Sequence, residues 1–273
     1  LATARDAWCY NFNRIELTRN IKASFDFYND QREKYNMSKV SNPNLQPKDV
    51  VDMSSNLLSW NRGILNSCKL NKLIKYKEDG LLTGAYRPFC KQNVYFDSDM
   101  NDMTYQLDKL FPNEILKNQC ICVSGIGGSK VTSSFIVNNL PDLNILDSGT
   151  QCFPLYWYEE SQNPDDKQGR LFDNTGCAAD KNGLPQQKYK RRNAISDAAL
   201  ARFRSQYNDN RITKEDIFYY VYGVLSAPEY RERFGEDVGQ FFIELDGNDV
   251  RSGFEQSLRE SAYTGTDFEH EIA

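Results

Sequence analysis

The apolar positions of this chain change their spacing twice, and each change marks a different kind of element. Near the front, Ile15, Ile21, Phe25 and Tyr28 recur at roughly helical spacing with charged residues between them. That spacing predicts a helix within residues 1–35, preceded by a short aromatic strand from Trp8 to Phe12. The polar loop Ser41-Asn42-Pro43-Asn44-Leu45-Gln46-Pro47 follows, and a second helical stretch is expected near 48–70. Within it, Trp60-Asn61-Arg62 reads as a buried Trp beside a solvated Arg, or as a surface contact.

From residue 72 the period shortens to alternation. Leu73 to Tyr76, Gln92 to Phe96, Gln119 to Ser124 and Cys152 to Tyr158 are the predicted strands. In the second of these, Val94 and Phe96 fall on one face, and Asn93, Tyr95 and Asp97 on the other. Gly84 permits a bend ahead of that strand, and Pro88 holds Arg87 extended, so Arg87 and Lys91 flank an aromatic corner. Residues 159–195 are polar and low in apolar positions, too long for an idle connector, and read as a recognition loop. Helical spacing returns at Ser196, a fitting N-cap for Asp197 to Phe203. Thr213 caps the next helix, with Glu215 and Asp216 in its first turn and Ile217, Val221, Val224 and Leu225 as its apolar stripe. Pro228 suits the first turn of a third helix. Tyr219, Tyr220 and Tyr222 are expected to pack in the core, with stacking on bases as the alternative. The sum is an α+β protein: a central, mainly antiparallel β region flanked by N-terminal helices and a C-terminal helical subdomain. The expected divisions are 1–71, a helical junction; 72–195, the β-rich part with its long loop; 196–243, helical; and 244–273, an acidic tail.

Composition refines this picture. Sixteen Tyr and sixteen Phe among 273 residues supply ample core material. No apolar run approaches the roughly 18 to 20 residues that span a bilayer. The start at Leu1 lacks the apolar core of a signal peptide, and the chain reads as a fragment of a longer cytoplasmic polypeptide. Seven cysteines form no CxxC pair, which favours reduced thiols over a zinc site. Cys120 and Cys122 share one side of a strand as small hydrophobes.

The net charge of −5 hides an asymmetry. Residues 244–273 carry eight acidic and two basic side chains, leaving 31 basic and 30 acidic in residues 1–243. A balanced body with local basic patches is compatible with nucleic-acid binding, although it is not a strongly basic footprint. The densest patch is Lys188-Tyr189-Lys190-Arg191-Arg192, with Gln186, Gln187 and Asn193 alongside. Cations suit phosphates, Arg suits guanine edges, and Gln or Asn suits adenine. A solvated basic run before a helix is the plainer alternative.

Other chemistry is thin. The sole histidine is His270, so a Ser–His–Asp or Cys–His nucleophile has no histidine in the body. Ser124-Gly125-Ile126-Gly127-Gly128-Ser129-Lys130 has Ser129 where a P-loop needs glycine, leaving a glycine turn that presents Lys130 to a phosphate. Asp142 with Asp165 and Lys167 superficially matches the carboxylate and lysine pattern of Mg²⁺-dependent nucleases. The second half of that pattern falls in a polar segment. Asn163-Pro164-Asp165-Asp166 lacks the second Pro and the aromatic of an amino-methyltransferase motif.

Several stretches agree, in order and spacing, with one family. They are Arg5-Asp6-Ala7-Trp8-Cys9-Tyr10-Asn11-Phe12, Gly84 to Asp97, Cys120 to Gly125, Leu140-Pro141-Asp142-Leu143 with Gln151 to Tyr156, and Ile212 to Leu225 leading into Pro228 to Phe234. From about Arg5 to Phe234 the chain resembles the C-terminal specificity region of Type ISP restriction–modification enzymes. Those are single polypeptides with nuclease, translocase, methyltransferase and target-recognition parts. The resemblance implies a reader of double-stranded DNA, itself without catalysis or cofactor, beside an N6-adenine methyltransferase domain of the same chain. S-adenosylmethionine, ATP and Mg²⁺ would serve the parent polypeptide, and no membrane is involved. Arg87, Lys91, Gln92, Lys130, Lys188, Lys190, Arg191 and Arg192 are the expected DNA contacts, chosen by charge and loop placement. A stand-alone Mg²⁺-dependent nuclease and a purely structural docking module are the rival readings.

Overall fold

A computed structural model describes residues 1–124, 133–147, 149–160 and 189–232. Its longest element is the helix α2, Arg14–Ser41, which follows a single turn α1 (Asp6–Cys9) and a two-residue strand β1 (Tyr10–Asn11). The Asn13 side chain accepts from the amides of Ile15 and Glu16, so an Asx cap sets the start of α2. Leu17, Ile21, Phe25, Tyr28 and Tyr35 form its buried stripe, while Ile15 stays exposed. The expected strand from Trp8 to Phe12 is thus half helix and half strand. The expected second helix near 48–70 contracts to a 3₁₀ turn, Pro47–Asp49, and the helix α3, Arg62–Lys69.

The first sheet has the order β1-β3-β2-β6, built from β2 (Leu81–Arg87), β3 (Cys90–Tyr95) and β6 (Leu140–Pro141). Its pairs are antiparallel except β2 with β6. Gly84 stands inside β2 opposite Gln92 rather than at a bend. A Cβ there would meet Val94 Cγ1 at 3.0 Å and Tyr10 Cε1 at 3.2 Å, so the glycine admits the Tyr10 ring. Val94 and Tyr95 are both buried, so the expected half-exposed alternation does not hold at this end of β3. Leu73 to Tyr76 forms no strand. Side chains of α2 hold it instead: the Tyr28 hydroxyl donates to Lys72 O just before it, and Asn29 both donates to Ile74 O and accepts from its amide.

The single turn α4 (Leu107–Leu110) leads to the second sheet, with the order β5-β4-β7: β4 (Cys120–Val123), β5 (Ser134–Val137) and β7 (Gln151–Pro154), all antiparallel. All four side chains of β4 are buried, and they divide two cores. Cys120 and Cys122 join the large core of α2 and the first sheet; Ile121 and Val123 join Ile195, Ala199, Ile217 and Phe218 of the C-terminal end. The C-terminal helices are α5 (Asp197–Tyr207) and α6 (Lys214–Ser226), and a further turn begins at Pro228. Ser196 accepts from the Ala199 amide, and Thr213 forms a capping box with Asp216, as their positions predict. Tyr219 and Tyr220 depart from expectation: both are half exposed, and Ile217 and Phe218 take the core positions. Mixed helices and antiparallel sheets make this the α+β protein expected.

Candidate nucleic-acid interface

The third sheet carries the basic run. Strand β8 (Tyr156–Glu160) pairs antiparallel with β9 (Tyr189–Asn193), placing Trp157 opposite Arg192, Tyr158 opposite Arg191 and Glu159 opposite Lys190. The recognition loop expected over 159–195 therefore ends in a strand, because Glu159 and Glu160 offer cross-strand charge partners that spacing alone does not reveal. Leu155 ties this ribbon to the second sheet: its amide donates to Gln119 O at 2.8 Å, and its carbonyl accepts from the Ala194 amide at 3.0 Å. Asn118, buried, clamps Tyr156 further, donating to its carbonyl at 2.7 Å and accepting from its amide at 3.1 Å.

Strand alternation sorts the cations of β9 onto two faces. Arg191 shares a face with Tyr156 and Tyr158, and its guanidinium carbon lies 4.4 Å from the Tyr156 ring centroid. The Tyr158 hydroxyl donates to Lys117 O, and that of Tyr156 to Glu215 on α6, so rings below Arg191 are pinned. Burial, then the Glu215 carboxylate, pushes the Tyr156 phenol up to about 12. Lys190 and Arg192 project from the other face with Trp157 and Glu159. Arg192 Nε donates to Glu159 Oε2 at 2.8 Å, with both side chains well exposed, so water and phosphate compete for that pair at little cost. The ribbon thus presents exposed cations on a pinned backbone, an arrangement suited to phosphates.

A second group lies on the β2–β3 turn, Arg87-Pro88-Phe89-Cys90. Lys91 Nζ donates to Asn138 Oδ1 at 3.1 Å, and Gln92 is half-buried beside Cys90. Arg87, expected as a DNA contact, is 38% exposed and also pairs within the fold. Its Nη1 donates to Asp142 Oδ1 at 2.8 Å and to Tyr86 O, and its guanidinium lies 4.0 Å over the Tyr86 ring. Lys130 and Lys188 lie outside the described residues. Phe89, which charge-based reasoning passed over, is the exposed tip of this turn at a φ of 61°. An aromatic directly after Pro between two strands was the available signal.

Asp142 also bears on the nuclease reading. Besides Arg87, its Oδ1 accepts from the Asn144 amide and its Oδ2 from the Tyr10 hydroxyl. Burial, reinforced by that carboxylate, pushes the Tyr10 phenol up. A carboxylate so engaged is a structural acceptor. Asp165 and Lys167 lie outside the described residues, and no group of three or more His, Cys, Asp or Glu among the described residues could hold a metal ion. No described helix is long and apolar enough to cross a membrane.

With this geometry in view, comparison with known families is decisive: residues 1–243 match the Type ISP C-terminal specificity domain. The chain belongs to that family. Among solved structures, the ATP-dependent Type ISP restriction–modification enzyme LlaBIII bound to DNA matches at 27% identity and a TM-score of 0.64 over 88% of this chain. A DrdV–DNA complex matches at 26% identity and a TM-score of 0.68 over 88% of the chain. A nuclease-deletion mutant of the Type ISP enzyme LlaGI, in complex with a DNA substrate mimic, shares the fold at 22% identity and a TM-score of 0.63 over 87% of the chain. The chain spans only 13%, 20% and 18% of those proteins, respectively. No curated protein matches it.

Proposed function

We propose that this Type ISP specificity domain reads a double-stranded DNA sequence and holds that site for an N6-adenine methyltransferase in the same polypeptide. The observation that carries the reading is the family match over residues 1–243, with two relatives above 25% identity captured on DNA. The exposed Lys190 and Arg192, on a strand paired to β8, support it as phosphate contacts that fix register. Arg191, Lys91 and Gln92 are assigned to base edges or neighbouring phosphates. Lys130 and Lys188 are assigned to DNA by charge alone. Residues 1–71 act as the junction to the methyltransferase, 72–195 as the reader, and 196–243 as its helical support.

On this reading the chain contributes selectivity and no bond-making step. The methyltransferase flips its adenine from a duplex that this domain has positioned. S-adenosylmethionine, ATP and Mg²⁺ then belong to methylation, translocation and cleavage in the parent polypeptide, in a cytoplasmic defence system. Selection of bound duplexes from a random pool tests the central claim. One enriched sequence is expected, and a pool that stays random after repeated rounds at low salt overturns it, favouring a docking module.

A further inference from the structure

We infer that Phe89 is a wedge that stacks on a partly unstacked base of the bound duplex; this deepens, and rests on, the DNA-reading proposed above. Pro88 and Phe89 form the two-residue connection between β2 and β3. Proline at the first turn position with a positive φ at the second is the pattern of a type II turn, where glycine or asparagine ordinarily stands. Here a phenylalanine holds φ at 61°. It is also 92% exposed, the most exposed of the large hydrophobic side chains described. Left-handed backbone strain and a bare aromatic ring are both unfavourable to the folded chain. The return within the fold is one edge-on contact with Phe135, 5.1 Å between centroids at 78°. Glycine at this position would relieve the backbone and remove the exposed ring together.

The turn therefore holds a side chain that its own fold uses only through that one edge contact. The surroundings indicate what does. Pro88 fixes the approach, the β2–β3 ladder supports the turn from both sides, and Lys91 stands at its base with its ammonium on Asn138. A flat apolar ring projecting from a stiff hairpin beside a cation matches a base step with its flanking phosphate. Inserted apolar side chains unstack such steps, and base–aromatic stacking tolerates any base. Arg87, tied to Asp142, braces the hairpin from below.

The test uses the purified chain and the duplex enriched by selection, with 2-aminopurine placed at successive positions. Wild-type protein is expected to raise the fluorescence at one position or one adjacent pair. Phe89→Ala should abolish that rise and weaken binding roughly 5- to 150-fold, the range of one lost stacking contact. The loss should be equal at every salt concentration, because stacking releases no counterions. Phe89→Trp should retain both signals, and Phe89→Gly should lose both while melting higher than wild type, which excludes misfolding as the cause. An enriched duplex that Phe89→Ala binds and unstacks as wild type does overturns the wedge and leaves the reader intact. A pool with no enrichment overturns both.

Discussion

Arg87 on β2 and Asp142 just beyond β6 close an ion pair at 2.8 Å across a parallel strand junction. Asp142 is 4% exposed and Arg87 38%, so the acid is the buried partner. Replacing Asp142 with Ala strands the Tyr10 hydroxyl, the Asn144 amide and one face of Arg87. We expect a loss of about 2–4 kcal/mol, measured by urea unfolding. Arg87→Ala should cost less, about 1–2 kcal/mol, because water reaches the guanidinium. It should also leave the salt dependence of DNA binding unchanged. A flatter salt slope in that variant would assign Arg87 to a phosphate.

Lys190→Ala and Arg192→Ala should act in the opposite way, on salt dependence rather than on folding. Each phosphate contact removed should flatten the slope of log K against log salt by roughly 0.9. Arg192→Ala should weaken binding more than Lys190→Ala, since it also releases the Glu159 carboxylate toward the DNA. Filter or fluorescence titrations between low and physiological salt decide this. A slope equal to wild type assigns the residue to solvent.

Gly84→Ala should destabilise the protein by about 1–3 kcal/mol, because the new methyl overlaps Val94 and Tyr10 in a packed core. A truncation of the opposing ring, Tyr10→Leu, should recover part of the loss in the double variant. Thermal melts of the four combinations measure the coupling.

Alkaline pH should destabilise the chain. Burial pushes the Cys68 thiol up to about 11 and the Cys9 thiol to about 12. The phenols of Tyr156 and Tyr220 rise to about 12, through burial and then through Glu215 and Tyr207 respectively. Each of these groups is neutral in the fold and loses its proton more readily when unfolded. Their stabilisation is therefore complete below about pH 9, and it falls as the pH climbs toward 12. Urea midpoints should be flat from pH 7 to 8.5 and drop steeply above 10. Phenolate absorbance should lag that of free tyrosine until unfolding begins.

The helix caps were legible because they depend on neighbours three residues apart: Ser196 and Thr213 do what their positions predict. So were the strand around Val94 and the apolar run Cys120 to Val123. The strand β2 was not, since a glycine admitting a ring from β1 looks the same in sequence as a glycine permitting a bend. Leu73 to Tyr76 misled for the converse reason: its partners are side chains of α2, more than forty residues away. At the interface, charge picked out Lys190, Arg191 and Arg192, but not that β9 would sort them onto two faces. Nor could charge reveal that Arg87 is claimed by an acid 55 positions downstream.

Cys120 to Val123 are the middle course of a party wall between two compartments, with Val137, Phe135 and Cys152 on one side of it and Ile136, Phe153 and Leu155 on the other. A chain cut back before α5 would not be a smaller soluble protein, because Ile121 and Val123 would be laid bare while Cys120 and Cys122 stayed covered. Transplanting the basic ribbon into another host protein would need α5 and α6 to travel with it, together with a matching tenant for the far side of the wall.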